Sequence, residues 1–138
     1  MPIRMLVKIS FTLILIFSID AFGEDDMLVS KCGDKPNCVS SADERKEYFV
    51  EPFKFEDPAK GLDELVEKIK NLSRVKLVTH EAGKSAHFVF TTLIMRFKDD
   101  LYLEANQDAG LVDVKSESRV GYSDLGKNKE RVEGLKNL

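Results

Sequence analysis

The sequence predicts an α+β fold, a two-layer sandwich in which an antiparallel meander of about four strands carries two helices on one face. Three observations predict it. Apolar residues recur at helical spacing from Leu62 to Leu72 and again from Leu125 to Leu138, and between these stretches the period drops to two. The strand-like runs are joined by short polar links, which makes consecutive strands antiparallel neighbours. A chain of 138 residues with 43% hydrophobic content is the right size for one core.

The chain begins with Arg4 and Lys8, continues as ISFTLILIFSI over residues 9–19, and reaches Ala21-Phe22-Gly23 before an acidic run. A basic start, a short apolar stretch and small residues before a cleavage point describe a secretory signal peptide over residues 1–23. The apolar stretch is shorter than the roughly 20 residues that span a bilayer, so a retained membrane anchor is the lesser reading. The protein is therefore expected to be exported, periplasmic or secreted, with a membrane association only if that segment stays on.

Residues 24–56 are polar and irregular, and Tyr48, Phe49, Val50, Phe53 and Phe55 are the apolar anchors of an extended arm that packs onto the domain. Cys32 and Cys38 are the only cysteines, separated by GDKPN, whose Gly, Pro and Asn let a short loop turn back. Export puts the pair in an oxidising compartment, and a structural disulfide is the favoured reading. A metal site needs more ligands close by, whereas His80 and His87 lie far along the chain.

The domain proper is read over residues 57–138. Asp57-Pro58 is an N-cap followed by a proline at the first helical position. Leu62, Leu65, Val66, Ile69 and Leu72 then mark one buried face of a helix over residues 58–72. Strands follow at 74–80 and 86–97, the second apolar on both faces and so expected to be central. Lys98-Asp99-Asp100 is read as a tight connection to a strand at 101–105, and residues 106–110 as a turn into a strand at 111–118. In that last strand Val112, Val114 and Ser116 point inward, leaving Asp113, Lys115, Glu117 and Arg119 on the opposite face. The closing amphipathic helix is expected to start at Ser123 or Asp124.

The formal charge of −3 gives no general attraction to nucleic acid or to anionic membrane. Candidate chemistry concentrates in SRVGYSDLGKNKERVE, residues 118–133. Arg119 and Asp124 would flank a pocket with the Ser123 hydroxyl, where amides at a helix start receive an anion. The plainer reading makes Gly121 a turn, Ser123 or Asp124 a helix cap, and Arg119 the partner of a carboxylate. Asn128 and Arg131 share a helix face and reach back toward the sheet. Asp99 and Asp100, with Glu104, lack the alternate spacing of a calcium loop, and a solvated turn or an ion pair with Arg119 suits them better. His87, among apolar neighbours, reads as a core or half-buried histidine.

Three separated stretches, CGDKPNCVSS at 32–41, FKDD at 97–100 and the 118–133 segment, together resemble the DUF1499 family of proteins of unknown function. The resemblance covers about residues 32–136 and implies a small domain, often exported or membrane-associated, without an established activity. Relative to that pattern, Lys115 stands where arginine is usual, Glu130 where a basic residue is usual, Gly33 where an aspartate or proline-rich start is usual, and Phe88 and Val89 where an acidic residue is usual. The functional expectation is a non-catalytic cell-envelope module that binds a small anionic ligand or a protein partner around Arg119, Ser123, Asp124 and Arg131. The alternative is a hydrolase using Asp99, Asp100 or Asp124 with Arg119. No cofactor, metal or nucleic acid is expected.

Overall fold

A computed structural model describes residues 27–138, so the signal-peptide and anchor readings lie outside the described residues. The elements run β1 (Cys38–Ser40), β2 (Phe53–Lys54), α1 (Pro58–Ile69), β3 (Val75–Glu81), β4 (Ser85–Thr91), β5 (Lys98–Asn106), β6 (Leu111–Ser118) and α2 (Lys127–Leu135). The sheet is antiparallel throughout, ordered β1-β6-β5-β4-β3, with β2 also paired to β6. Among the described residues no helix is long and apolar enough to cross a membrane.

The meander from β3 to β6 forms as expected and both helices pack on one face, but the sheet has six strands rather than about four. The two extra strands come from the segment read as an irregular arm. Val39 pairs with Ser116, and Phe53 pairs with Val112, so two short pieces finish the free edge of β6. Strands of three and two residues are too short to show a period of two.

α1 begins as its sequence dictates: the Asp57 carboxylate accepts the Lys60 N–H at 3.2 Å and Pro58 occupies the first turn. It ends at Ile69, earlier than the expected Leu72, which sits partly buried after the helix. Leu62, Leu65, Val66 and Ile69 meet Phe88, Leu101, Leu103, Val112 and Val114 from the sheet, and Val132 and Leu135 of α2 close the same core. Each such side chain contributes about 1.5–3 kcal/mol by leaving water.

Two expected elements change. The apolar run 86–97 is not one strand: β4 stops at Thr91, and residues 92–97 form a loop in which Leu93, Ile94, Met95 and Phe97 are exposed. Thr92 closes that loop, donating its N–H to the Phe97 carbonyl while its Oγ1 accepts the Phe97 N–H, and Arg96 takes a left-handed backbone, φ 56°. Lys98-Asp99-Asp100 is not a connection either, because β5 starts at Lys98 and buries both aspartates. Their side chains find partners on opposite faces of the sheet, so burial is compatible with charge.

Candidate functional site

Alternation along the strands sorts the polar residues onto two faces. On the helix face, Asp99 of β5 and Ser116 of β6 lie beneath α2 and meet its Asn128 and Arg131. Arg131 binds Asp99 at 2.5 Å and donates its other terminal nitrogen to Ser116 Oγ and Asn128 Oδ1, and its guanidinium stacks over the Phe90 ring at 4.7 Å. Asn128, fully buried, accepts from Ser116 Oγ at 2.6 Å and donates to Ser118, Asp124 and the Asn37 carbonyl. Among the described residues no buried side-chain polar atom of this group lacks a partner inside the molecule, which is what fixing a helix to a sheet requires.

The helix start differs from expectation. α2 begins at Lys127 with Gly126 before it in a left-handed conformation, φ 78°, and neither Ser123 nor Asp124 is the cap residue. Asp124 still serves the helix start from further back, accepting the Gly126 N–H at 2.8 Å and the Asn128 N–H at 3.1 Å. Ser123 is exposed in the turn, and its Oγ accepts the Leu125 N–H. The helix is tied to the sheet by Arg131 and Asn128, not by Arg119.

Arg119 points to the other face. Its Nε and Nη2 both donate to Asp100 at 2.8 Å, and His87 Nε2 meets the same carboxylate at 2.6 Å. The His87 ring stacks on Tyr102 with centroids 4.5 Å apart. Burial acts most strongly on Asp100 and opposes its charge, but hydrogen bonds from Arg119 and then His87 outweigh it and hold the carboxyl below its usual range. The Tyr102 phenol is pushed up, by burial first and then by Asp100 and Glu117. Lys115, buried on this face, donates to Ser30 Oγ and pairs with Glu117 at 3.4 Å.

The seven predicted site residues therefore fall into two groups. Asp99, Asn128 and Arg131 come together on the helix face with Asp124 at their edge, Arg119 and Asp100 come together on the open face, and Ser123 joins neither. Sequence reading left out His87 as a partner of Asp100. The signal was present in the odd-numbered phase His87, Val89, which opposes Phe88 and Phe90, but the register that sets His87 against Tyr102 beside Asp100 is a tertiary fact.

The loop beside Arg119 is held by the predicted disulfide. Cys32 and Cys38 are bonded, their Cα atoms 5.8 Å apart. Asp43, buried behind them, accepts the Cys32 N–H and both Nε and Nη2 of Arg45, whose guanidinium lies 3.9 Å from the centre of the Tyr48 ring. The Arg45 side chain, more than burial can offset, keeps Asp43 ionised far below the usual carboxylate range. Between this loop and the β6–α2 joint lies a concavity of about 340 Å³ lined by Asp34, Lys35, Asn37, Glu117, Arg119 and Gly121 among others. Among the described residues no three His, Cys, Asp or Glu side chains gather to hold a metal ion.

A single-layer antiparallel sheet with two helices on one face, an N-terminal disulfide loop and a buried Asp–Arg–Asn anchor defines a small α+β domain. The family model for DUF1499, described as a protein of unknown function, matches residues 28–138, and the chain belongs to that family. No curated protein and no solved structure matches the chain.

Proposed function

We propose that the protein is an exported, non-catalytic binding module that takes a small anionic ligand at the concavity beside Arg119. The observation that carries this reading is the state of the Arg119 guanidinium. Asp100 occupies Nε and Nη2, while Nη1 has no hydrogen bond among the described residues, and the side chain is 45% exposed where it lines the concavity. A guanidinium fixed along one edge presents the rest of its fork ready oriented for a carboxylate or phosphate. Lys35 stands on the same rim without an ion pair among the described residues, whereas the rim carboxylates Asp34 and Glu117 are drawn to Arg45 and Lys115.

The hydrolase reading has less support. Asp99, Asp100 and Asp124 each accept hydrogen bonds from cations or amides, and no serine, threonine or cysteine hydrogen-bonds His87 among the described residues. Export rests on the sequence pattern of residues 1–23 together with a disulfide that fits an oxidising compartment.

The test is a thermal-shift titration of the purified protein with inorganic phosphate, acetate and citrate, comparing wild type with Arg119→Gln and Lys35→Gln. Saturable stabilisation by one of these anions, lost in Arg119→Gln and weakened in Lys35→Gln, is expected. Stabilisation that survives both substitutions, or none with wild type, contradicts the reading.

A further inference from the structure

We propose that the loop 92–97 is a membrane-docking tip that inserts its apolar side chains into the surface of an anionic lipid bilayer. This rests on a different part of the molecule from the anion site and stands without it. Leu93, Ile94 and Met95 are 66%, 84% and 65% exposed, and Phe97 is 45% exposed, four large apolar side chains in six consecutive residues. Isolated exposed apolar residues are ordinary; a contiguous group marks a surface that meets something apolar.

The neighbouring β6–α2 joint also carries exposed apolar side chains. The Arg119 N–H donates to the Lys98 carbonyl, which continues the β5–β6 pairing past Ser118 and brings the joint to the same end of the sheet. Tyr122 and Leu125 of that joint are 69% and 89% exposed. The β4–β5 ladder ends at Thr91 and Lys98, so the loop lies past the end of that strand pair; Thr92 at its base lines a concavity with α2, while Leu93, Ile94, Met95 and Phe97 are exposed. Projecting aliphatic side chains with Phe and Tyr at their margin suit the headgroup boundary of a bilayer, where one end of each side chain is dry and the other wet.

Charge selects the kind of bilayer. Arg96 and Lys98 lie in and beside the loop, and Arg74 is at the same end, its carbonyl accepting the Thr91 N–H. All three are exposed and have no ion pair among the described residues, and residues 91–98 contain no acidic side chain. The chain as a whole carries −3, so attraction to anionic lipid depends on this local grouping and not on the net charge.

The sequence contains no tryptophan, so one introduced residue is an unambiguous reporter. In the full chain, Ile94→Trp places it at the tip and Ala109→Trp at the exposed turn at the opposite end of the sheet. Any tethering by the N-terminal segment is common to both. With vesicles of phosphatidylglycerol and phosphatidylethanolamine, the Ile94→Trp emission is expected to shift to shorter wavelength and to be quenched by brominated acyl chains, while Ala109→Trp emission stays unchanged. Adding Arg96→Gln and Lys98→Gln raises the lipid concentration at half-shift roughly 30-fold, and phosphatidylcholine alone gives a weaker response. An unshifted Ile94→Trp, equal shifts at both positions, or an equal response to neutral lipid overturns the proposal. So does a shift that grows with protein concentration in the absence of lipid, which assigns the tip to a second copy of the chain.

Discussion

At the residue scale, one ionic contact fixes α2 and another orients Arg119, and they differ in how far water reaches them. Arg131 and Asp99 are both largely withdrawn from solvent, so removing one partner leaves an uncompensated buried charge. Arg131→Met is expected to lower the unfolding free energy by about 3–5 kcal/mol in urea denaturation. The double variant with Asp99→Leu should recover much of that loss, because an apolar pair needs no compensation. Asp100 is the pH-sensitive partner of the second contact. Its folded-state pKa is lowered, so its stabilisation is complete above the unfolded carboxylate value near 4 and is lost as pH falls through the lower folded value. Acid unfolding of Asp100→Asn should therefore lack this component: the variant is less stable than wild type at pH 6, and the gap narrows as pH falls below about 4. Both aspartates stand out in the sequence as an adjacent pair. Their assignment to a turn fails because Lys98 to Asp100 are strand residues and the two carboxylates are paired on opposite faces, Asp99 with Arg131 and Asp100 with Arg119 and His87, a solution that local sequence cannot display.

At the element scale, the parts with long periodicity were legible and the short or irregular ones were not. The apolar residues of α1 from Leu62 to Ile69, three and four apart, and the alternation of β6 each bury a face, so pattern and packing agree. β1 and β2 escape notice because each owes its existence to the open edge of β6. Loop 92–97 imitates a strand because its exposed side chains are as apolar as those of β4. Two glycines report on packing that the sequence leaves hidden. A Cβ on Gly61 would collide with the Phe55 ring, so the aromatic of the N-terminal segment lies directly on α1. Gly61→Ala should displace Phe55 and destabilise the domain by about 1–3 kcal/mol despite alanine's better helix propensity. Gly126, by contrast, has open space around its Cβ position and is required for its positive φ, so alanine there costs only backbone strain, about 1 kcal/mol.

At the scale of the whole molecule, the sheet divides the protein into a helix-covered side that holds it together and an open side crossed by the N-terminal segment. Val29 donates its N–H to Glu104, and the Ser30 carbonyl accepts from Ser40, so residues just after the expected cleavage point already belong to the fold. Cleavage after Gly23 would leave three residues before the described structure begins, and an intact mass lacking residues 1–23 is the expected result for protein recovered from cells. The disulfide closes a short loop, with a sequence separation of 6, and its reduction should cost about 2 kcal/mol while loosening one wall of the concavity beside Arg119. The role proposed for this concavity is to bind small anions through the free edge of Arg119. Its most direct measurement is an NMR titration with inorganic phosphate that follows the Arg119 side-chain Nε–H and the backbone amides of Lys35 and Gly121. Saturable shifts confined to these groups and their neighbours are expected, abolished in Arg119→Gln with the remaining spectrum unchanged. Shifts that fail to saturate, or that persist in Arg119→Gln, would contradict it.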